Sequence, residues 1–182
     1  MAHKLLFFII VVAGFVACKT PEARRPVQQS GGSFIDQSIE RNKKLLEQEA
    51  DGIQAIIEAD STNNYIASDS GFWYYYQIKD TTDAVTPSFG DFVSFNYSIS
   101  DINGTEIISA KEIGTQEIYI DQTNQDLISG VREGVKLLKE GEQATFLFPS
   151  YKAYGYYGLE DKIGTNIPIK STITLNKLEQ KQ

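Results

Sequence analysis

The segment from Asp126 to Gly155 constrains the fold of this chain more strongly than any other stretch. Its first half spaces apolar side chains so that they fall on one face of a helix: Leu127, Ile128, Val131, Val135 and Leu138. Gly130 and Gly134 lie inside this predicted helix, where each glycine costs about 1 kcal/mol relative to alanine. We therefore expect another part of the chain to pack so closely there that a larger side chain would hold the helix away. Gly141 is predicted to end the helix as a left-handed residue.

A strand and a tyrosine-bearing loop follow this helix. Residues 144–148 have the composition of a strand, and Pro149-Ser150 then turns the chain towards Tyr151, Tyr154 and Gly155. A short helix lying across a strand, with tyrosines beside it, predicts an apolar dish with a polar rim.

Residues 1–17 have the pattern of a signal peptide. A positive start that includes Lys4 precedes an apolar run from Leu5 to Ala13, which is too short for a permanent membrane span. The next residues, Phe-Val-Ala-Cys, resemble a relaxed bacterial lipobox with phenylalanine at the usual leucine place, and they predict a lipidated Cys18 after cleavage. The alternative is an ordinary secretory signal followed by an unrelated cysteine. Because Cys18 is the only cysteine, an internal disulfide is excluded.

The charge of the processed chain excludes two kinds of partner. Removing residues 1–17 takes away one of the 17 basic side chains and the only histidine, while all 24 acidic side chains remain, so the net charge becomes −8. An acidic chain does not suit nucleic acid or electrostatic binding to anionic lipid. We therefore expect membrane attachment through the acyl anchor, with the protein in the cell envelope and facing the periplasm.

A polar tether and a helix precede the globular part. The tether carries Pro21, Pro26 and paired glycines, and apolar residues then keep a rough helical period over 33–59. Two interpretations of this helix stay open: a solvated spacer, or a surface that docks on a partner or pairs with its own copy. The predicted organisation is a signal peptide at 1–17, a lipidated flexible tether at 18–32, an N-terminal helix and linker at 33–70, and a globular domain at 71–182.

The globular domain reads as a series of short strands. Residues 72–78 are rich in strand-forming aromatics, which indicate either a stacking surface for sugars or bases or, more simply, an edge strand with one face in the core. Residues 92–99 alternate as a half-buried strand, and Asn103-Gly104 is a strong hairpin signal. With the later strands of the domain, we predict an α+β domain of five to six antiparallel strands with one helix across them.

The residue types limit the chemistry that this chain can perform. Without His3 there is no imidazole for a catalytic triad, a metal site or acid–base catalysis, and lipidation would consume the only thiol. No glycine-rich phosphate loop follows a strand, and the carboxylates are scattered. We therefore expect no cofactor and no metal, and either a reaction that needs no strong acid, base or metal, or binding alone.

Several ordered motifs over roughly residues 72–178 resemble the FKBP-type peptidyl-prolyl cis–trans isomerases. In chain order they are Gly90-Asp91-x-Val93, Tyr97, Asn103-Gly104, Leu127-Ile128-x-Gly130-x-x-Glu133-Gly134-Val135, Gly141-Glu142, Ala153-Tyr154-Gly155 and Ile167-Pro168. The resemblance implies a half-barrel sheet wrapped on one short helix. Within the family, the lipidated start and acidic N-terminal helix are most similar to the lipoproteins associated with motility in gliding bacteria.

The resemblance also implies an activity and its residues. Proline-containing proteins or peptides would bind on the central helix, with the Tyr154 hydroxyl and the Ile128 backbone N–H holding carbonyl oxygens and Tyr97 beside them. The other substrate-binding positions would be Ile107, Ile118, Leu127, Val131 and Leu175. The simpler interpretation of Tyr154 is a tyrosine that fastens its loop.

Some positions depart from the family pattern. The family's floor tryptophan falls at Val131, its acidic residue falls at Ile108, and three phenylalanine places carry Ile107, Ile118 and Leu175. The pocket stays apolar but loses aromatic walls and one hydrogen-bond acceptor. Two functions therefore remain open: a membrane-tethered isomerase for exported proteins, with weak activity, or a non-catalytic scaffold or chaperone module that binds a partner.

Overall fold

A long N-terminal helix and a seven-stranded antiparallel sheet form the described part of the chain. The structure, a computed structural model, describes residues 32–123 and 126–181, so the predicted signal peptide, Cys18 and the tether lie outside it. The helices are α1 (Gly32–Ala59), α2 (Ala110–Ile113) and α3 (Ser129–Val135), with a 3₁₀ turn at Ser150–Lys152. The strands are β1 (Ile66–Ser68), β2 (Phe72–Ile78), β3 (Phe92–Asp101), β4 (Glu106–Ile108), β5 (Gln116–Tyr119), β6 (Gln143–Phe148) and β7 (Ile169–Glu179).

The sheet confirms the predicted class and corrects the predicted strand number. Its order is β1-β2-β6-β7-β3-β4, with β5 also paired to β3. The seventh strand is β1, which lies in a polar stretch that the sequence analysis interpreted as a linker. Its three residues pair with β2 through the turn at Gly71, where φ is +82°. β2 is therefore an inner strand, not the predicted edge.

Strands β3 and β7 form the centre of the sheet and follow the predicted alternation. Val93, Phe95, Tyr97 and Ile99 are buried on one face of β3, and the residues between them are partly exposed. In β2, Phe72 is buried with ring centroids 5.9 and 5.2 Å from Phe146 and Phe148. The aromatic run thus contributes one face to the core, as the simpler interpretation proposed.

Helix α3 is shorter than the predicted helix. It ends at Val135, because Leu137 and Leu138 donate to carbonyls three residues back, Gly134 and Val135, instead of four. Gly141 does take a left-handed φ of +84°, but its N–H donates to the Leu175 carbonyl on β7 at 2.8 Å. The prediction that Gly141 caps the helix is wrong, since the sheet supplies its partner.

The chain divides into two compact units, and the division falls within α1. Residues 40–182 form one unit, which includes the second part of α1, and the boundary at residue 71 stays a prediction. Within this unit Ile53 and Glu49 of α1 are buried, with 1% and 8% of their surface exposed. Around Glu49 and Ile53 α1 is therefore not a solvated spacer. No helix among the described residues is long and apolar enough to cross a membrane.

Candidate functional site

Close packing of α3 on the sheet explains its two glycines. A Cβ at Gly130 would lie 2.7 Å from the Phe148 ring and 2.9 Å from the Lys152 carbonyl oxygen. A Cβ at Gly134 would lie 3.1 Å from Phe146 and 3.2 Å from Ile173. Since real Cβ contacts are longer than the first of these distances, α3 could not lie this close with alanine at Gly130. The prediction of a close-packed helix is confirmed.

The residues that the sequence assigned to the site lie in one apolar cluster. Its fully buried members include Val131 on α3 and Leu175 on β7, and Tyr97 and Ile118 have only 9% and 7% of their surface exposed. Four further members are partly exposed at its surface: Ile107, Leu127, Ile128 and Tyr154. The cluster thus has a buried floor and a partly exposed rim, which is where another molecule can make contact.

The two tyrosines supply neutral hydroxyl groups at this cluster. Burial, followed by the proximity of Tyr97, raises the pKa of Tyr154 to about 12. Burial also raises the pKa of Tyr97. Neither hydroxyl forms a hydrogen bond with another residue in the described part of the chain. Tyr154 therefore does not fasten its loop through its hydroxyl, and both phenols remain protonated donors at neutral pH.

The backbone of Ile128 offers another donor at the same cluster. Ile128 immediately precedes α3 with φ −58° and ψ 144°, and its carbonyl accepts the Arg132 N–H at 3.2 Å. Its own N–H makes no hydrogen bond within residues 32–123 and 126–181. The first N–H groups of a helix have no intrahelical partner, so this group is available for a carbonyl oxygen.

The departures from the family pattern give the site smaller side chains and one fewer polar group. Ile108 is 8% exposed and lies opposite Ile99 of β3, so this position gives Tyr97 no acceptor. Val131 has no exposed surface, and a guest can touch it only if the surrounding side chains move. The rim residues therefore provide most of the contact surface.

Polar contacts that the sequence analysis missed hold the loop of Tyr154 against α3. Ser129 donates through its hydroxyl to the Lys152 carbonyl at 3.3 Å, and the Lys152 ammonium lies 2.8 Å from the Glu133 carboxylate. Both α3 residues therefore reach Lys152, two residues before Tyr154. The spacing of Ser129 and Glu133, four residues apart on one helical face, is the only sequence signal of this arrangement.

The described residues contain no group of three or more His, Cys, Asp or Glu side chains that could hold a metal ion. The donors at the cluster are instead phenol and amide groups. They can hold carbonyl oxygens of a polypeptide, and they carry no charge at neutral pH.

The comparison with known families assigns the fold. The family model described as FKBP-type peptidyl-prolyl cis-trans isomerase matches residues 84–176. The chain belongs to this family. The match includes every residue assigned to the site.

The relatives agree with this assignment. The chain is 36% identical over 103 residues to the probable FKBP-type peptidyl-prolyl cis-trans isomerase FkpA of Neisseria meningitidis serogroup B, a match that covers 57% of this chain and 37% of the relative. A peptidyl-prolyl cis-trans isomerase from Pseudomonas syringae is similar in fold, with a TM-score of 0.59 and 20% identity, over 76% of this chain and 96% of the other. FkpA from Escherichia coli has a TM-score of 0.57 and 20% identity over 97% and 82% of the two chains.

Proposed function

We propose that this protein catalyses the cis–trans isomerisation of X–Pro peptide bonds. The observation that carries the proposal is the presence of three features at α3: an apolar cluster, the neutral hydroxyl of Tyr154, and the N–H of Ile128, the last two without a hydrogen-bond partner among the described residues. Together they suit a proline ring on the rim, with its neighbouring carbonyl oxygens held by the two donors.

This arrangement fits a reaction that needs no covalent step. Rotation about the peptide bond crosses a barrier of about 18–20 kcal/mol, because the planar amide is stabilised by resonance. Twisting removes the resonance and the charge separation that water stabilises, so an apolar surface disfavours the planar amide more than the twisted one. Donors placed on carbonyl oxygens accelerate the reaction only where they bind the twisted state better than the planar state. Tyr154 and Ile128 are the residues we assign to that task.

Within the cell we propose an envelope lipoprotein that acts on exported proteins. This part of the proposal rests on the sequence of residues 1–18, namely the signal-peptide pattern and the lipobox that ends at Cys18. In this proposal the protein faces the periplasm, is held by its acyl chains, and has no nucleic-acid partner. Because the chain resembles motility-associated lipoproteins, we propose that its substrates include proteins of a gliding apparatus.

A protease-coupled assay with a short proline peptide tests the isomerase activity. With the purified full-length chain in detergent, we expect a measurable kcat/KM that falls about tenfold in Tyr154→Phe, which retains the ring and loses the donor. Tyr156→Phe is the matched control, because Tyr156 lies on the same loop and is 73% exposed. Rates equal to buffer for the wild-type protein and both variants would rule out the enzyme.

The second candidate function is a scaffold or chaperone module that binds a partner without catalysis. The observations that favour it are the complete burial of Val131 and the apolar Ile108 beside the site. The same assay separates the two functions. A module of this kind would suppress aggregation of an unfolded client while showing no isomerase rate, and Tyr154→Phe would change neither result.

A further inference from the structure

Ser150 connects α1 to the residues on both sides of Tyr154. Its carbonyl oxygen accepts the N–H of Ala153 at 3.0 Å and the N–H of Gly155 at 2.9 Å. The conformation of Tyr154 between these two residues therefore depends on where Ser150 is held. Ser150 opens the 3₁₀ turn and is 2% exposed.

Glu49 of α1 holds the other two polar groups of Ser150. Its Oε2 accepts the Ser150 N–H at 2.7 Å, and its Oε1 accepts the Ser150 hydroxyl at 2.6 Å. Glu49 is 8% exposed, so a carboxylate has been taken out of water to make these two bonds. Hydrogen bonds to a charged acceptor are shorter and stronger than neutral ones. Both bonds are at the short end of their ranges.

Among the described residues, no other side chain bonds to the N–H or hydroxyl of Ser150. Pro149, the residue before the turn, makes no side-chain cap, and the first N–H groups of a turn lack partners inside it. Without Glu49, the buried N–H and hydroxyl of Ser150 would be left unpaired. The turn would then have to shift to reach water, and the residues bonded to the Ser150 carbonyl would shift with it.

We propose that Glu49 is a positioning residue for the isomerase site, and that α1 is thereby part of the catalytic unit. Glu49 does not touch the substrate. It fixes Ser150, whose carbonyl oxygen holds the residues on both sides of Tyr154, and so fixes the position of the Tyr154 side chain at the apolar cluster. A misplacement of a reacting group by about 1 Å can lower a rate by as much as about a hundredfold, so a loose turn is expected to reduce kcat more than it raises KM.

This proposal rests on the proposed isomerase function, and its test has one arm that needs activity and one that does not. Both arms compare full-length Glu49→Ala and Glu49→Gln with Asp51→Ala, in which an exposed carboxylate two residues further along α1 is removed. Glutamine can still accept the Ser150 N–H and donate to its hydroxyl, so Glu49→Gln is the conservative rescue.

In the kinetic arm, rates are measured well below the unfolding midpoint of each variant. We expect kcat/KM to fall roughly tenfold in Glu49→Ala, mainly through kcat, to recover most of that loss in Glu49→Gln, and to stay unchanged in Asp51→Ala. A purely structural role for Glu49 would lower the unfolding midpoint and leave kcat/KM of the folded protein unchanged. That result would overturn the proposal.

In the second arm, hydrogen exchange is measured at the amides of Ala153 and Gly155. We expect both to exchange faster in Glu49→Ala than in Asp51→Ala, because their acceptor on Ser150 is no longer fixed. Unchanged protection would overturn the proposal even where kinetics changed. If the wild-type protein has no isomerase activity, that result rejects the proposed function. Faster exchange in Glu49→Ala would still support the link from α1 to the loop.

Discussion

Two glycines inside helices show how local surroundings decide the effect of one methyl group. A Cβ at Gly130 of α3 would lie 2.7 Å from Phe148, whereas a Cβ at Gly52 of α1 would meet nothing within 4 Å. Both glycines carry the same entropic penalty relative to alanine. Only Gly130 gains close packing in return, since it lets α3 lie directly on β6.

We therefore expect opposite effects from the same substitution at these positions. Gly130→Ala should lower the free energy of unfolding by about 1–3 kcal/mol, because the methyl group overpacks against the ring and the Lys152 carbonyl. Gly52→Ala should raise it by about 0.5–1 kcal/mol, because α1 loses a flexible residue and nothing is displaced. Urea denaturation of the two variants and the wild-type protein measures both changes. Changes of the same sign would contradict the packing argument.

The raised pKa of Tyr154 gives a stability effect at high pH. Its phenol has a pKa of about 12 in the folded protein against 10.0 in a free tyrosine. Below about pH 10 both states keep the proton, and the stabilisation is fully present. As the pH rises from 10 towards 12 the unfolded chain loses the proton first, so the free energy of unfolding falls.

The measurement compares the wild-type protein with Tyr154→Phe. We expect the urea midpoint of the wild type to fall more steeply between about pH 10 and about pH 12 than that of the variant. Tyr76, whose pKa is also raised to about 12, contributes to both slopes and does not affect the difference. Parallel slopes would show that Tyr154 titrates as an ordinary tyrosine.

At the level of elements, the sequence predicts the features that depend on local pattern. Alternation identified β3, the Asn103-Gly104 turn separated β3 from β4, and the glycines of α3 indicated close packing. The ordered family motifs placed Tyr97, Tyr154 and Ile128 at one site, and the structure brings them to one apolar cluster.

The features that the sequence analysis missed depend on partners that are distant along the chain. β1 lies in a polar stretch, and its strand character comes from pairing with β2. The left-handed glycine after α3 is bonded to Leu175, and Glu49 meets a residue 101 positions away. No periodicity within one element records such contacts, because each is created by the packing of the whole sheet.

The first turns of α1 carry a short, exposed apolar row. Ile35 and Ile39 lie four residues apart on one helical face, with 61% and 57% of their surface exposed. We propose that this row pairs with a second copy of the chain. A partner protein that docks on the same face is the alternative outcome.

Sedimentation equilibrium of the full chain carrying Cys18→Ala tests this proposal. We expect an oligomer, and we expect Ile35→Ser with Ile39→Ser to reduce its mass towards that of the monomer. Val85→Ser with Phe89→Ser is the matched control, because it removes two apolar side chains that are 49% and 64% exposed elsewhere. A wild-type chain that is monomeric at every concentration, or equal dissociation by both pairs, would exclude self-association through α1.

For the whole molecule, we propose attachment to a membrane through acyl chains on Cys18. The chain has a net charge of −7. A chain with this charge does not favour electrostatic binding to anionic lipid. Attachment through acyl chains on Cys18 is the route that its sequence offers, and stable anchoring takes more than one such chain.

Fractionation of cells that express the full chain tests this route directly. Cys18→Ala should move the protein from the membrane fraction to the soluble envelope fraction, because the hydrophobic anchor is lost while the described domain is unchanged. Ser30→Ala, a change of similar size within the predicted tether, should leave the protein at the membrane. Incorporation of labelled fatty acid should be seen in the wild type and in Ser30→Ala and be absent from Cys18→Ala. A wild-type protein that is already soluble would indicate an ordinary signal sequence. If Cys18→Ala stayed with the membranes after an alkaline wash, the segment would be an uncleaved anchor. Either result would contradict the lipoprotein assignment.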